Sequence, residues 1–255
     1  MKQTGFTALE RHVPQLKGRP GYALVVLGFI SVIALTTTFF VLVDRGFAAW
    51  MPDCEIVILA LGFLVLSRFF TQRTRFQAEF GERAYSMAFV RFVIPGLGIV
   101  TASLAHLAYM VGPEIPELWW TPILRGAGWF LLATGLSLWL RAAASLGIDT
   151  LALLYVYFPS EDRLANSGIY AIIRHPVYSA ALKVGAGLAF IHASWYALIV
   201  LPVLLLFFVG WVRLIEEPEL LARVAGYHEY RRKVPAFLPW PRDLPRFLRF
   251  LALGH

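Results

Sequence analysis

Only one of the 255 residues is cysteine, Cys54, which excludes an internal disulfide framework and any cysteine cluster for zinc or iron–sulfur. Charge is scarce too: Asp, Glu, Lys and Arg together supply 15% of the chain against 58% apolar residues, too little polar surface to cover a soluble globule of this length. The mean hydropathy of +0.65 agrees, so part of the solvent must be lipid. Internal repeats, low-complexity stretches and a linker that would separate two soluble domains are all missing. The 23 Lys and Arg outnumber the 16 Asp and Glu. They sit in short segments between apolar runs, a pattern of membrane orientation and not of nucleic-acid binding. The polar, basic stretch Met1–Pro20 runs into an apolar segment long enough to span, so no removable signal is expected.

What is abundant is the hydrophobic run. A span needs about 20 apolar residues to cross about 30 Å of hydrocarbon. Tyr22–Val43, Met87–Val111 and Ile123–Leu146 meet that length, Trp195–Val212 is adequate, and Ile56–Phe70 and Ala180–Ile191 are short. The expectation is an all-α, polytopic, multi-pass protein of six spans, or five if a short run fails to cross. With both termini cytoplasmic, that side receives Lys2, Arg11, Lys17, Arg19, Arg68, Arg73, Arg75, Arg83, Arg91, Arg141, Arg163, Arg174 and the basic tail, while the other receives only Arg45 and Arg125. The outer loop Gly112–Thr121 carries Glu114 and Glu117 beside the interface anchors Trp119 and Trp120.

Residues 1–146 read as four N-terminal spans. From about Gly147 the texture changes, and residues 147–255 mix polar residues, Tyr and His around a helical hairpin at 177–213. The hairpin turn near His192–Ser194 is tight, so residues near 175 and near 215 are expected to be neighbours. The first polar segment ends Ser167-Gly168-Ile169-Tyr170-Ala171-Ile172-Ile173-Arg174-His175-Pro176-Val177-Tyr178. Its proline breaks the preceding helix or opens the next one at its first turn, and leaves Arg174 and His175 at the boundary, beside backbone N–H groups that suit an anion. The second segment runs Arg213, Glu216, Glu217, Arg223 and Gly226, and closes Tyr230-Arg231-Arg232-Lys233-Val234-Pro235. Arg213 and Glu217, four apart, are expected to share a helix face.

Arg-His-Pro-x-Tyr after Gly-x-Tyr, then a hydrophobic hairpin, a Glu-Glu pair and Tyr-x-x-x-Val-Pro resembles the isoprenylcysteine carboxyl methyltransferase family and its phospholipid methyltransferase relatives. The resemblance covers roughly residues 160–240; after Gly226 the family's pattern is contracted to Ala225-Gly226-Tyr227-His228-Glu229-Tyr230. It implies a membrane methyltransferase that uses S-adenosyl-L-methionine on a lipophilic acceptor. Carried over by position, Arg163, Leu164, Ala165, Tyr170, His175, Pro176, Val177, Tyr178 and Glu217 would contact the cofactor. Arg213 would face the acceptor, and one alignment register selects Glu216 in place of Glu217, so both glutamates are kept.

The residue types suit that chemistry on their own terms. A sulfonium zwitterion needs a carboxylate for its ammonium, donors for its carboxylate and aromatic surface beside the sulfonium. Methyl transfer from it requires alignment and exclusion of water, not an activated Ser or Cys. A carboxylate acceptor could be held by Arg213, whereas an amine, phenol or thiol needs a base such as Glu216 or His175. Plainer roles compete: a helix cap for His175, a positive-inside anchor for Arg174, interface-belt tyrosines for Tyr170 and Tyr178, snorkelling for Lys183 and a structural pair of Arg213 with a glutamate. The tail around Arg231–Lys233 and Arg242–Arg249 reads as a segment on anionic headgroups. Two further functions fit such a chain. One is an NADPH-dependent reductase resembling the sterol reductases, whose Asn/Pro-rich signature is missing; the other is a non-enzymatic transport or assembly protein.

Overall fold

Long apolar runs satisfy their backbone groups internally as helices, and helices account for the architecture. The structure, a computed structural model, describes residues 6–16, 19–162 and 164–254; Arg163 and the basic Lys2 and Lys17 lie outside them. The helices are α1 Phe6–His12, α2 Arg19–Phe47, α3 Met51–Thr71, α4 Arg73–Phe80, α5 Ala84–Ala88, α6 Ile94–His106, α7 Thr121–Leu146, α8 Ile148–Leu151 and α9 Leu154–Tyr157. They continue as α10 Pro176–His192, α11 Trp195–Trp211, α12 Glu217–Arg223, α13 Tyr227–Lys233 and α14 Leu244–Leu253. Two π-helical turns, Phe89–Val93 and Val212–Glu216, are inserted before α6 and α12. No strand occurs among the described residues.

Four continuous helical stretches among the described residues are long and apolar enough to cross a membrane: Pro20–Thr71, Arg73–His106, Thr121–Leu146 and Trp195–Arg223. The first, at 52 residues, would reach about 78 Å if straight. It is folded back at Ala48–Trp50 instead. Asp44 near the end of α2 and Glu55 near the start of α3 both bond His106 at the end of α6, while Gly28 and the far part of α3, at Leu66, meet the start of α6 at Ile94 and Gly96. Helix α10, at 17 residues, is shorter than the four stretches. Neighbouring long helices alternate in direction: α3 runs against α2 and α6, and α10 runs against α7 and α11. The apolar side chains of Leu24, Leu35, Leu64, Trp129, Phe130 and Leu206 face outward, as lipid-facing residues do.

The direction of each helix sorts the loops to two ends. One end gathers the turn 47–51, the connector 107–120 and the turn at Ala193, which are buckled together by Ile115 N–H to Ala193 O (2.8 Å) and Trp195 N–H to Pro113 O (2.9 Å). Here His106, 0% exposed, is clamped between carboxylates, with Nδ1 2.6 Å from Glu55 Oε2 and Nε2 3.1 Å from Asp44 Oδ2, under the Phe40 ring. Burying these three groups is tolerable because each partners another; no sequence pattern flags them. The opposite end gathers α4, α8, α9, the 158–175 segment and everything after Trp211.

Helices α7 and α10 touch through glycines: a Cβ on Gly187 would stand 2.8 Å from Gly128 O and from Leu132 N. Small residues allow such backbone approach where no hydrophobic driving force separates helix from lipid. Gly187→Leu is therefore expected to lower stability by about 1–3 kcal/mol, while Gly126→Leu, whose Cβ position meets no atom within 4 Å, leaves it unchanged; thermal unfolding in detergent compares the two.

Candidate active site

Pro176 starts α10, and its ring leaves His175 as the residue before the helix, with φ −119° and ψ 62°. The two backbone N–H groups at this boundary go to a strap from the C-terminal region: Arg174 N–H to Pro235 O at 2.8 Å and His175 N–H to Ala236 O at 2.9 Å. The Val-Pro of the sequence pattern is thus half of a backbone clamp on the Arg-His-Pro. The tight α10–α11 turn brings the other polar segment to the same place.

Glu217, 2% exposed, joins the pieces. Its Oε1 accepts from Arg174 Nη2 at 2.6 Å, Arg174 Nε at 3.1 Å and His175 Nε2 at 3.3 Å, and its Oε2 lies 3.1 Å from Arg231 Nε. Arg174 also donates to the carbonyls of Arg231, at 2.8 Å, and Val234. Three segments, at 174–175, α12 and α13, therefore converge on one carboxylate. His175 lies between two acids, with Nδ1 3.4 Å from Glu216 Oε1 on its other side. Burial works against its positive charge, but Glu216 and Glu217 outweigh it, so the His175 pKa stands above the ordinary histidine value.

Beside this node opens a cavity of about 450 Å³, within the range of roughly 300–1,000 Å³ usual for small-molecule sites. It has two halves. The polar half is lined by Asp162, Glu216, Glu219, Arg223 and the Tyr170, Tyr227 and Tyr230 rings; the apolar half reaches between the long helices to Phe63, Phe70, Leu97, Val100, Trp139 and Phe208. Tyr178 stands at the boundary, its hydroxyl accepting from Trp211 Nε1 at 3.0 Å and its ring stacked on His175. Three buried polar atoms on this cavity lack a protein partner: Glu216 Oε2, Tyr170 Oη and Tyr227 Oη. Buried polar atoms are as a rule paired, so three orphans on one cavity point to a polar ligand. The cationic linings are already engaged: Arg174 by Glu217, and Arg223 by Asp162 and Glu219.

Most of the positions expected from the sequence meet here. Leu164, Ala165, Tyr170, His175, Pro176, Val177, Tyr178 and Glu216 all line the cavity. Glu217 stands behind it in the ion network, Arg213 is exposed on the outer face, and Arg163 lies outside the described residues. The expected shared face of Arg213 and Glu217 does not form, because Glu217 N–H bonds Val212 O, five residues back. That wider turn aligns Val212 with Glu217 and swings Arg213 outward. Arg174, given on charge alone to the positive-inside pattern, also lines the cavity and bonds Glu217. Asp162, Glu219, Arg223, Tyr227 and Tyr230 were not singled out for the site; the spacing of Glu216, Glu219 and Arg223 on one helical face was the signal that could have found the middle pair.

Glu217→Ala is expected to cost about 3 kcal/mol or more, since it leaves the largely buried Arg174 unpaired; chemical unfolding measures it. The pH dependence has a definite sign. A histidine whose folded pKa is raised adds stability that is fully present below the ordinary value near about 6.5 and is lost as pH climbs through the folded value. Unfolding midpoints of the wild type should fall over that window, and those of His175→Gln should lose that fall.

Comparison with curated proteins and with solved structures gives no match. Residues 124–224 match the phospholipid methyltransferase family. The matched stretch begins in α7 and ends after α12, so it holds the Arg-His-Pro boundary, the hairpin and both glutamates, while Tyr227, Tyr230 and the 234–236 strap lie beyond it. The similarity to the phospholipid methyltransferase family thus lies in the stretch that holds these elements.

Proposed function

We propose that the chain is a membrane methyltransferase that takes its methyl group from S-adenosyl-L-methionine and delivers it to an amine of a lipophilic acceptor. The observation that carries the reading is the cavity itself: three residues that each hold an unpartnered buried polar atom, Glu216 (Oε2), Tyr170 (Oη) and Tyr227 (Oη), line the same space as an apolar passage between the long helices. In this reading all six helices α2, α3, α6, α7, α10 and α11 cross the bilayer, and the polar half of the cavity faces the cytosol with both termini.

The residues fit the donor. Tyr170 and Tyr227 offer hydroxyls, and Tyr178, stacked on His175, and Trp211 offer aromatic faces to a cation. Arg163, Leu164, Ala165, Pro176 and Val177 would complete its pocket, with Glu217 and Arg174 fixing the wall from behind. When bound, the donor supplies an electrophilic methyl group on a neutral leaving thioether. The acceptor's apolar part lies among Phe63, Phe70 and Phe208. An amine is favoured over a carboxylate because every arginine lining the cavity among the described residues is already paired with an acid, whereas Glu216 keeps an oxygen free. His175 turns both ring nitrogens to acids, Nδ1 to Glu216 and Nε2 to Glu217, and is unsuited to be the base. Glu216 Oε2 therefore receives the proton of the amine, and the closed apolar walls exclude water.

Calorimetric titration of purified protein in detergent is expected to detect S-adenosyl-L-methionine and its demethylated product. Transfer of radiolabelled methyl to amine lipids should fall about 100-fold in Glu216→Gln with donor binding kept, and stay unchanged in Arg213→Ala. A folded sample that binds neither, or that prefers NADPH, would falsify the reading; loss of donor binding in Glu216→Gln would move that residue from the acceptor to the donor.

A further inference from the structure

A second cavity, of about 320 Å³, lies at the same end of the bundle and is walled by Arg68, Gln72, Arg75, Phe76, Glu79, Arg91 and Phe92. Its arginines come from places far apart in sequence: the last turn of α3, α4, and the π-helical turn Phe89–Val93. That turn matters, because Ile94 N–H bonds Phe89 O, five residues back, and the extra residue re-aims Arg91 and Phe92 relative to a regular helix. Phe76, which is buried, and Phe92 supply the apolar part of its lining and meet edge to face (5.2 Å between centroids).

Three guanidinium groups face one acid, Glu79, which is 3.9 Å from Arg75. Arg68 and Arg91 have no acidic partner within 4 Å among the described residues. Arg68, Arg75 and Arg91 are exposed at the cleft and outnumber its one acid, so an added anion lowers their mutual repulsion. Guanidinium forks match the oxygens of a phosphate, and Gln72 adds an amide donor. Leu64, one turn before Arg68 on α3, and Val90, beside Arg91, are both exposed apolar side chains, so lipid-facing surface borders the cleft.

We propose that this cleft binds the phosphate of an anionic phospholipid, separately from the acceptor's cavity. The shared chemistry is that of a phosphate oxyanion, and the adjoining exposed Leu64 and Val90 assign its source to a lipid headgroup in the membrane. The site also has a line to the larger cavity. Helix α4 presents Arg75 and Glu79 to the cleft, and Arg73 on the same helix donates to Val156 O at 2.7 Å and lies 3.8 Å from Glu219, which lines the larger cavity. Seating a headgroup against α4 thus braces one wall of the larger cavity.

The test uses the full chain in detergent, titrated with short-chain phosphatidylglycerol, short-chain phosphatidylcholine and inorganic phosphate, with lipid retention read by native mass spectrometry. Phosphatidylglycerol should bind about tenfold tighter than phosphatidylcholine. The Arg68→Gln/Arg91→Gln double variant should lose that preference while keeping the wild-type thermal midpoint. Replacing Arg242, Arg246 and Arg249 of the tail by Gln should leave it intact. Equal affinity for the two lipids in the wild type overturns the proposal, and does so even if the double variant fails to fold. So does a preference that survives in the double variant or disappears with the tail arginines. Inorganic phosphate that displaces phosphatidylglycerol at comparable concentration assigns the cleft to a soluble anion and overturns the lipid assignment. None of these outcomes depends on methyl transfer.

Discussion

A single carboxylate organises the polar end of this protein. Glu217 is removed from water and accepts from Arg174 and His175 on the chain before α10, and from Arg231 on α13. Arg174 and His175 are costly to bury alone and tolerable because the carboxylate pairs with them, while Arg231 stays half-exposed. The network is held in turn by backbone: Pro235 and Ala236 carbonyls receive the N–H groups that the proline of α10 leaves over. A charged node and a backbone strap together convert two distant stretches of sequence into one wall.

Division of labour between adjacent glutamates follows from one local distortion. In a regular helix consecutive residues stand about 100° apart, and the identity of the residue facing a cavity is settled by register. The π-helical turn at Val212–Glu216 shifts that register once, so that Glu217 turns to the ion network, Glu216 to the cavity and Arg213 to the outside. A second π-helical turn, at Phe89–Val93, does the same for Arg91. Such turns are common at functional sites because the extra residue re-aims side chains without breaking the helix.

Much of this was legible in the sequence. Long apolar runs announce lipid-facing helices, the spacing of polar texture around residues 177–213 announces a hairpin with joined ends, and Tyr170, His175 and Tyr178 do meet around one cavity. What escaped has physical reasons. A π-helical turn has no signature in residue types, so the face shared by Arg213 and Glu217 was drawn on the wrong helix geometry. Arg174 fits an orientation pattern in the sequence and yet lines the cavity against Glu217, and charge alone cannot separate the two. Asp44, Glu55 and His106 are brought together only by the packing of α2, α3 and α6, which no local pattern encodes. The Tyr227 and Tyr230 of the contracted segment still reach the cavity, because α13 is placed by Arg231 and by the Tyr230 hydroxyl on Tyr170 O.

The cavity's two halves also bear on how such a protein must be studied. A ligand reaching the polar half is counted in moles per litre of water, but one reaching the passage beside Phe63 and Trp139 is counted as a fraction of the molecules in the bilayer. Adding inert detergent or lipid then thins the second ligand while leaving the first untouched. Saturation curves should accordingly collapse onto one another when the acceptor is plotted as a mole fraction of the membrane phase, and scatter when it is plotted against volume.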